Sequence, residues 1–292
     1  MSEPAGAPLP HFKFVQLEFP WELGPEEGRY VVRGHAGEVD QVVVLQTLGA
    51  PERRGLVRNR RARDVPSEPP ATPVPVSRVT VVGPKPFPSL DDAARWRREV
   101  DGEEEAAEAI RVLNRMLHLH RTATADPTVR EVSRPQALVV RVGTGEGEQL
   151  AHSRWAEAVE LPPQARRRQT GREAALRPQE RLAALLGGRD VALACEELIL
   201  RARLDLDGDR TREAALQLRV ALEAAIAELA PWADRAQIAD RLEALRAERR
   251  AVGAAANRAL EGGLDEETVE DVRRVVGLVE GIVRLRTSFG FG

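Results

Sequence analysis

A lone cysteine, three alternating aspartates, a glycine trio behind an apolar run, five histidines and two arginine clusters are the residues here whose types could do chemistry. Cys195 as a nucleophile would need a nearby base, and no histidine follows His152. Its neighbours Leu193, Ala194 and Leu198 make it a small buried hydrophobe instead. Asp205, Asp207 and Asp209 open like a calcium loop. Arg210 stands where that loop needs glycine, however, and Leu216 where it needs the bidentate glutamate. The aspartates therefore read as a solvated turn, with Asp209 capping the helix after it. Gly143, Gly145 and Gly147 follow a strand, as phosphate-binding glycines would. The third spacing of the dinucleotide fingerprint is missing, and Glu146 and Glu148 put negative charge where a phosphate would sit, so a hairpin turn is expected. His118 and His120 point about 200° apart on a helix and cannot clasp one metal; His120 is expected at the edge of the core and His118 on the surface. His11, His35 and His152 have no local carboxylate or cysteine partner. No residue is assigned a catalytic, cofactor-binding or metal-ligating role.

The arginine clusters remain. Arg53, Arg54, Arg58, Arg60, Arg61 and Arg63 form one, and Arg166, Arg167 and Arg168 head the other. Both could neutralise phosphates in a salt-dependent way, which makes a nucleic acid or other polyanion a candidate partner. Three features weigh against that reading. Net charge is only −3, aromatic residues for base stacking make up 4%, and lysine is confined to Lys13 and Lys85 in an arginine- and alanine-rich composition of GC-biased type.

These groups must be positioned by elements that the hydrophobic pattern outlines. Residues 1–10 read as a loose tail with neither the basic start nor the apolar core of a signal peptide. Strands are expected at 11–19, 29–33 and 39–48, joined by short turns into an antiparallel meander, and a fourth at 76–82. The first changes phase: Phe12 and Phe14 face one way, Val15, Leu17 and Phe19 the other. Either a bulge near Phe14 or burial on both sides explains this. An Arg- and Pro-rich insertion at 50–75 has too little apolar surface to order itself. Ser89 caps a helix to about Val100, and a second helix runs from Glu103 to about Arg121 with Ala106, Ala109, Ile110, Leu113 and Leu117 along one side. Strands at 136–142, with Leu138, Val139 and Val140 marking it as central, and at 155–161 complete an α+β domain over 11–161.

A basic linker at 162–177 leads to an all-α bundle over 178–286 and a flexible tail at 287–292. Its best-specified part is an αα-hairpin from Asp190 to Ala230, with apolar positions Leu193, Leu198, Leu200 and Leu204 on its first helix and Ala215, Leu218, Leu222, Ala225 and Leu229 on its second. Gly208 is placed to reverse the chain. Ala202, Ala214, Ala221, Leu198 and Leu218 give this hairpin a resemblance to one tetratricopeptide repeat. Arg201, Asp205 and Ile226 break that pattern, and Glu248 occupies a small position one period on, so an ordinary bundle hairpin is the reading. Ile238, Leu242, Leu245, Val252, Ala256 and Ala259 mark a long helix, interrupted by Arg249. Val269, Val272, Val276, Val279 and Val283 mark the last.

Beside that last stripe lie Val275, Leu278, Ile282 and Leu285, more apolar surface than one seam requires, and they are the candidate partner interface. The expected function is a non-catalytic assembly or adaptor protein whose bundle binds a protein partner or a second copy. The alternative is an arginine-mediated nucleic-acid or ribonucleoprotein binder; an enzyme with its site in the first domain comes third. No cofactor is expected. With no apolar run of about 20 residues and a single cysteine, a cytoplasmic location away from membranes is expected.

Overall fold

The computed structural model describes residues 9–34, 37–49, 74–152, 154–155, 157–164 and 178–289. The chain divides into two compact units, Met1–Arg166 and Arg167–Gly292. The fold class is α+β: an antiparallel sheet with helices, then helices.

In the first unit β1 (His11–Phe19), β2 (Gly28–Arg33), β3 (Val39–Leu48), β4 (Val76–Val82), β5 (Val139–Glu146) and β6 (Glu157–Glu160) form one sheet in the order β2-β3-β4-β1-β5-β6. Every neighbouring pair is antiparallel. β1 keeps an unbroken register with β4 and β5, so its change of phase comes from burial on both faces and not from a bulge. Phe14 packs with Val82 and Leu150 on one face; Val15, Leu17 and Phe19 join the larger cluster on the other. That cluster is covered by α2 (Gly102–Thr124), whose buried residues Val112 and Met116 widen the stripe seen in the sequence. Asp101 caps α2 by accepting from the backbone amides of Glu103 and Glu104. α1 (Leu90–Glu99) starts at Ser89, which accepts from the Asp92 amide, as expected.

The glycine trio is not a turn. β5 runs on through Gly143 and Gly145 to Glu146, which pairs with His11, and Gly147 begins the short helix α3 (Gly147–Ala151). Glycine at 143 answers a close approach: a Cβ there would lie 2.3 Å from the Glu157 carbonyl oxygen. Nor is the apolar block before it all interior. Leu138 lies outside the strand and is exposed, and β5 stands one place in from the edge strand β6.

The second unit contains α4 (Pro178–Leu186), α5 (Ala194–Asp207), α6 (Thr211–Glu228), α7 (Ala236–Glu261) and α8 (Glu266–Ser288). α5 to α8 pack around one core in which α6 touches the other three. The second hairpin helix buries the residues its sequence marks. The first does not. α5 buries Cys195, Ile199, Ala202 and Leu206, while Leu200 and Leu204 are exposed. The left-handed residue of the hairpin turn is Asp209 (φ 57°), not Gly208, and α6 begins without a side-chain cap, so Asp209 is not its cap. Arg210 instead pairs with Asp205 at 2.8 Å. On α7 the interrupting Arg249 reaches out to Glu223 of α6. α8 starts with Asp265 accepting from the Thr268 amide and continues to Ser288, two residues into the stretch read as a tail. Phe289, just beyond it, lies under the Arg235 guanidinium at 4.4 Å.

Candidate functional site

The reactive groups singled out from the sequence are taken unit by unit. Cys195 is fully buried in the first turn of α5. Burial, with the Glu228 carboxylate beside it, pushes its thiol up to about 12. Glu228 accepts from the backbone amides of Ala194 and Cys195 at 3.0 and 2.9 Å, so its role is to cap α5 from α6. Burial opposes its charge, and these bonds outweigh that and lower its pKa.

His118 and His120 are both half-buried on α2. The first meets Arg121 at 3.1 Å, and the second stands beside Gly24. His152 is exposed after α3, and His35 lies outside the described residues. A cavity of about 460 Å³ opens near His120, lined by Trp21 to Gly24, Asp126, Thr128 to Val132 and Gln136. Its Asp126 accepts from the Thr128 hydroxyl and amide, which lowers its pKa and makes it a poor proton carrier at neutral pH. Among the described residues no group of three or more His, Cys, Asp or Glu could hold a metal.

A wider groove of about 720 Å³ runs between α1 and the edge strand β6, lined by Ala94, Arg97, Arg98, Trp155 and Glu157 to Val159. Arg97 spends its charge within it, donating to the Thr144 hydroxyl at 2.7 Å and pairing with Glu157. On the opposite face of the sheet Arg141 donates to Gln16 and Glu18, at 3.1 and 3.2 Å, and pairs with Glu160; Arg78 shares Glu18. These arginines hold strands together. The arginine clusters at Arg53 to Arg63 and Arg166 to Arg168 lie outside the described residues.

The candidate partner stripe on α8 is used internally. Val275 and Ile282 are 1% and 0% exposed, and Leu278 and Leu285 are half-buried against the same core. Their apolar surplus belongs to contacts with α6, α5 and α7, which the sequence of α8 alone cannot reveal.

Exposed apolar side chains are scattered over both units, Leu186 and Leu260 among them, and on α5 two of them fall together on one side of the helix. At about 100° per residue, Glu197, Leu200, Arg201 and Leu204 share a sector of about 100° opposite Cys195, Ile199, Ala202 and Leu206. Leu200 is 62% and Leu204 45% exposed. Glu197 and Arg201 pair across one turn at 2.9 Å, and Val191, just before the helix, is exposed as well. Leu200 and Leu204, expected on the buried stripe of the first hairpin helix, lie on its outer side. The signal that separates them from core is the Cys195, Ile199, Ala202, Leu206 ladder, which an emphasis on large residues overlooks.

Comparison with protein-family models, with curated proteins and with solved structures finds no match to this chain. Among the described residues no helix is long and apolar enough to cross a membrane.

Proposed function

We propose that this chain is a non-catalytic, cytoplasmic assembly or adaptor protein whose helical unit binds a protein partner through the outer side of α5. The observation that carries the reading is the second apolar stripe of that helix. Leu200 and Leu204 face outward although Cys195, Ile199, Ala202 and Leu206 already supply its core contacts. A surface helix needs one apolar stripe to fold against its own core. A second one offers apolar area to bury against another surface, and the Glu197–Arg201 pair beside it supplies both signs of charge for orienting a helical partner. The polar groups of the first unit support the same reading, because Arg97 of its groove and Arg78 and Arg141 of its sheet face are engaged in ion pairs that fix strands.

Affinity purification of the full chain from its source cells, compared with Leu200→Glu/Leu204→Glu, tests this. The expected result is a stoichiometric protein that binds the purified wild type and not the variant. Equal recovery with both would refute a role for this face.

A further inference from the structure

We infer that the surface covering the outer side of α5 is a second copy of this chain, paired antiparallel about a two-fold axis level with Ile199. This rests on the reading above and names its partner. A two-fold interface must be self-complementary, since each patch meets its own image. In an antiparallel pair, residues equidistant from the axis face each other. An axis at 199 sets Glu197 of one copy beside Arg201 of the other, twice over by symmetry. It sets Leu204 over Ala194, an exposed small residue next to exposed Val191, and brings the two Leu200 side chains to the centre. A parallel pairing would instead set Glu197 against Glu197 and Arg201 against Arg201. The antiparallel arrangement also places the positive end of each helix dipole beside the negative end of its neighbour.

Sedimentation velocity of the full chain over roughly 1–100 μM, where interfaces below standard size dissociate, reads this out. The expected wild-type result is a concentration-dependent shift from one chain to two. Leu200→Glu/Leu204→Glu should abolish the shift. Arg201→Glu sets glutamate against glutamate at both ends and should weaken the pair roughly tenfold. Glu197→Arg/Arg201→Glu restores opposite charges and should return it, with circular dichroism checking that each variant keeps its helix content. A wild type that stays monomeric throughout, a dimer indifferent to the leucine changes, or a charge swap that fails to rescue would each overturn the inference. A monomeric wild type whose purified partner is still lost in Leu200→Glu/Leu204→Glu would sink self-pairing alone and leave the adaptor reading standing; loss of neither sinks both.

Discussion

Removing one carboxylate at the open end of the helical unit should destabilise that unit far more than any surface change. The Asp190 side chain is 4% exposed and takes both nitrogens of Arg286, with Nη1 at 3.1 Å, while Arg181 donates to it at 3.3 Å and the Val191 amide at 2.9 Å. Arg181 in turn holds Glu196 at 2.6 Å, and Arg286 stacks over Trp232 at 5.1 Å. Two guanidinium groups and two carboxylates thus tie α4, the start of α5 and the end of α8. Asp190→Asn keeps the volume and the amide acceptor but leaves two cations with one anion, and Arg286 is itself only 10% exposed. Breaking a buried pair on one side costs about 3 kcal/mol. For a unit of this size that is roughly 10 °C in melting temperature. Calorimetry on the full chain, with Trp232 fluorescence marking the helical transition, should show that transition alone moving. Burial works against the charge on Asp190, and the bonds from Arg286 and Arg181 outweigh it, so its pKa is lowered. A depressed carboxyl contributes stability above its unfolded value, about 3.9, and loses it as pH falls through the folded value. The gap between wild type and Asp190→Asn should therefore be full at neutral pH and close in acid. Asp190→Leu/Arg286→Met, which leaves Arg181 and Glu196 balanced one to one, should lie within about 1 kcal/mol of wild type. A shift of under about 3 °C for Asp190→Asn would show that water reaches these charges and would refute the calculation.

Cys195, fully buried and with its thiol pushed up to about 12, presents little thiolate at pH 8, so a thiol-specific reagent should label it only on unfolding; rapid labelling of the native chain would contradict its burial. Gly143→Ala drives a Cβ into the Glu157 carbonyl and should cost about 1–3 kcal/mol in the sheet unit, visible as faster amide exchange at Val159 and Leu161, with unchanged exchange as the contrary result. Ile282→Ala should destabilise the helical unit by about 2–5 kcal/mol, whereas Leu200→Ala in the monomeric state should stay within about 0.5; a reversal in denaturant titration would exchange their roles. On the adaptor reading, Arg58, Arg60, Arg61 and Arg63 to alanine should leave partner binding intact, and polyanion binding that is steep in salt and lost in that variant would favour the nucleic-acid alternative instead.

The parts of the fold that could be read from sequence are those where spacing and breakers agree. β3 and β4 stand at their expected bounds because runs of Val between Gly and Pro admit no other element. α6 and α7 show their buried faces because Ile238, Leu242 and Leu245, or Leu218 and Leu222, have no competing apolar stripe. Legibility failed where the deciding contact is distant. Glycines at 143 and 145 carry a turn signal locally, yet pairing with β1 and β6 holds them extended. Asp209 rather than Gly208 took the left-handed position, a substitution that aspartate tolerates and composition alone ranks second.

The same blindness bears on the candidate site. A helix with leucines on one side and Cys, Ile, Ala and Leu on the other offers two stripes, and transfer free energy favours burying the leucine-rich one. Packing chose the other, because α6 presents Ala214, Ala221 and Ala225 toward the bundle interior and so lets helix backbones come close. Ala202 and Cys195 fit such an approach, and Leu200 and Leu204 do not. The outer stripe is therefore not a failed core but the apolar remainder of a close-packed helix pair. Glu228 capping from α6 and the Asp190 clip hold α5 in place from the inner side and the end, leaving the outward leucines without a part in holding the unit together. On the adaptor reading, that separation lets one face of α5 maintain the fold while the other meets a partner.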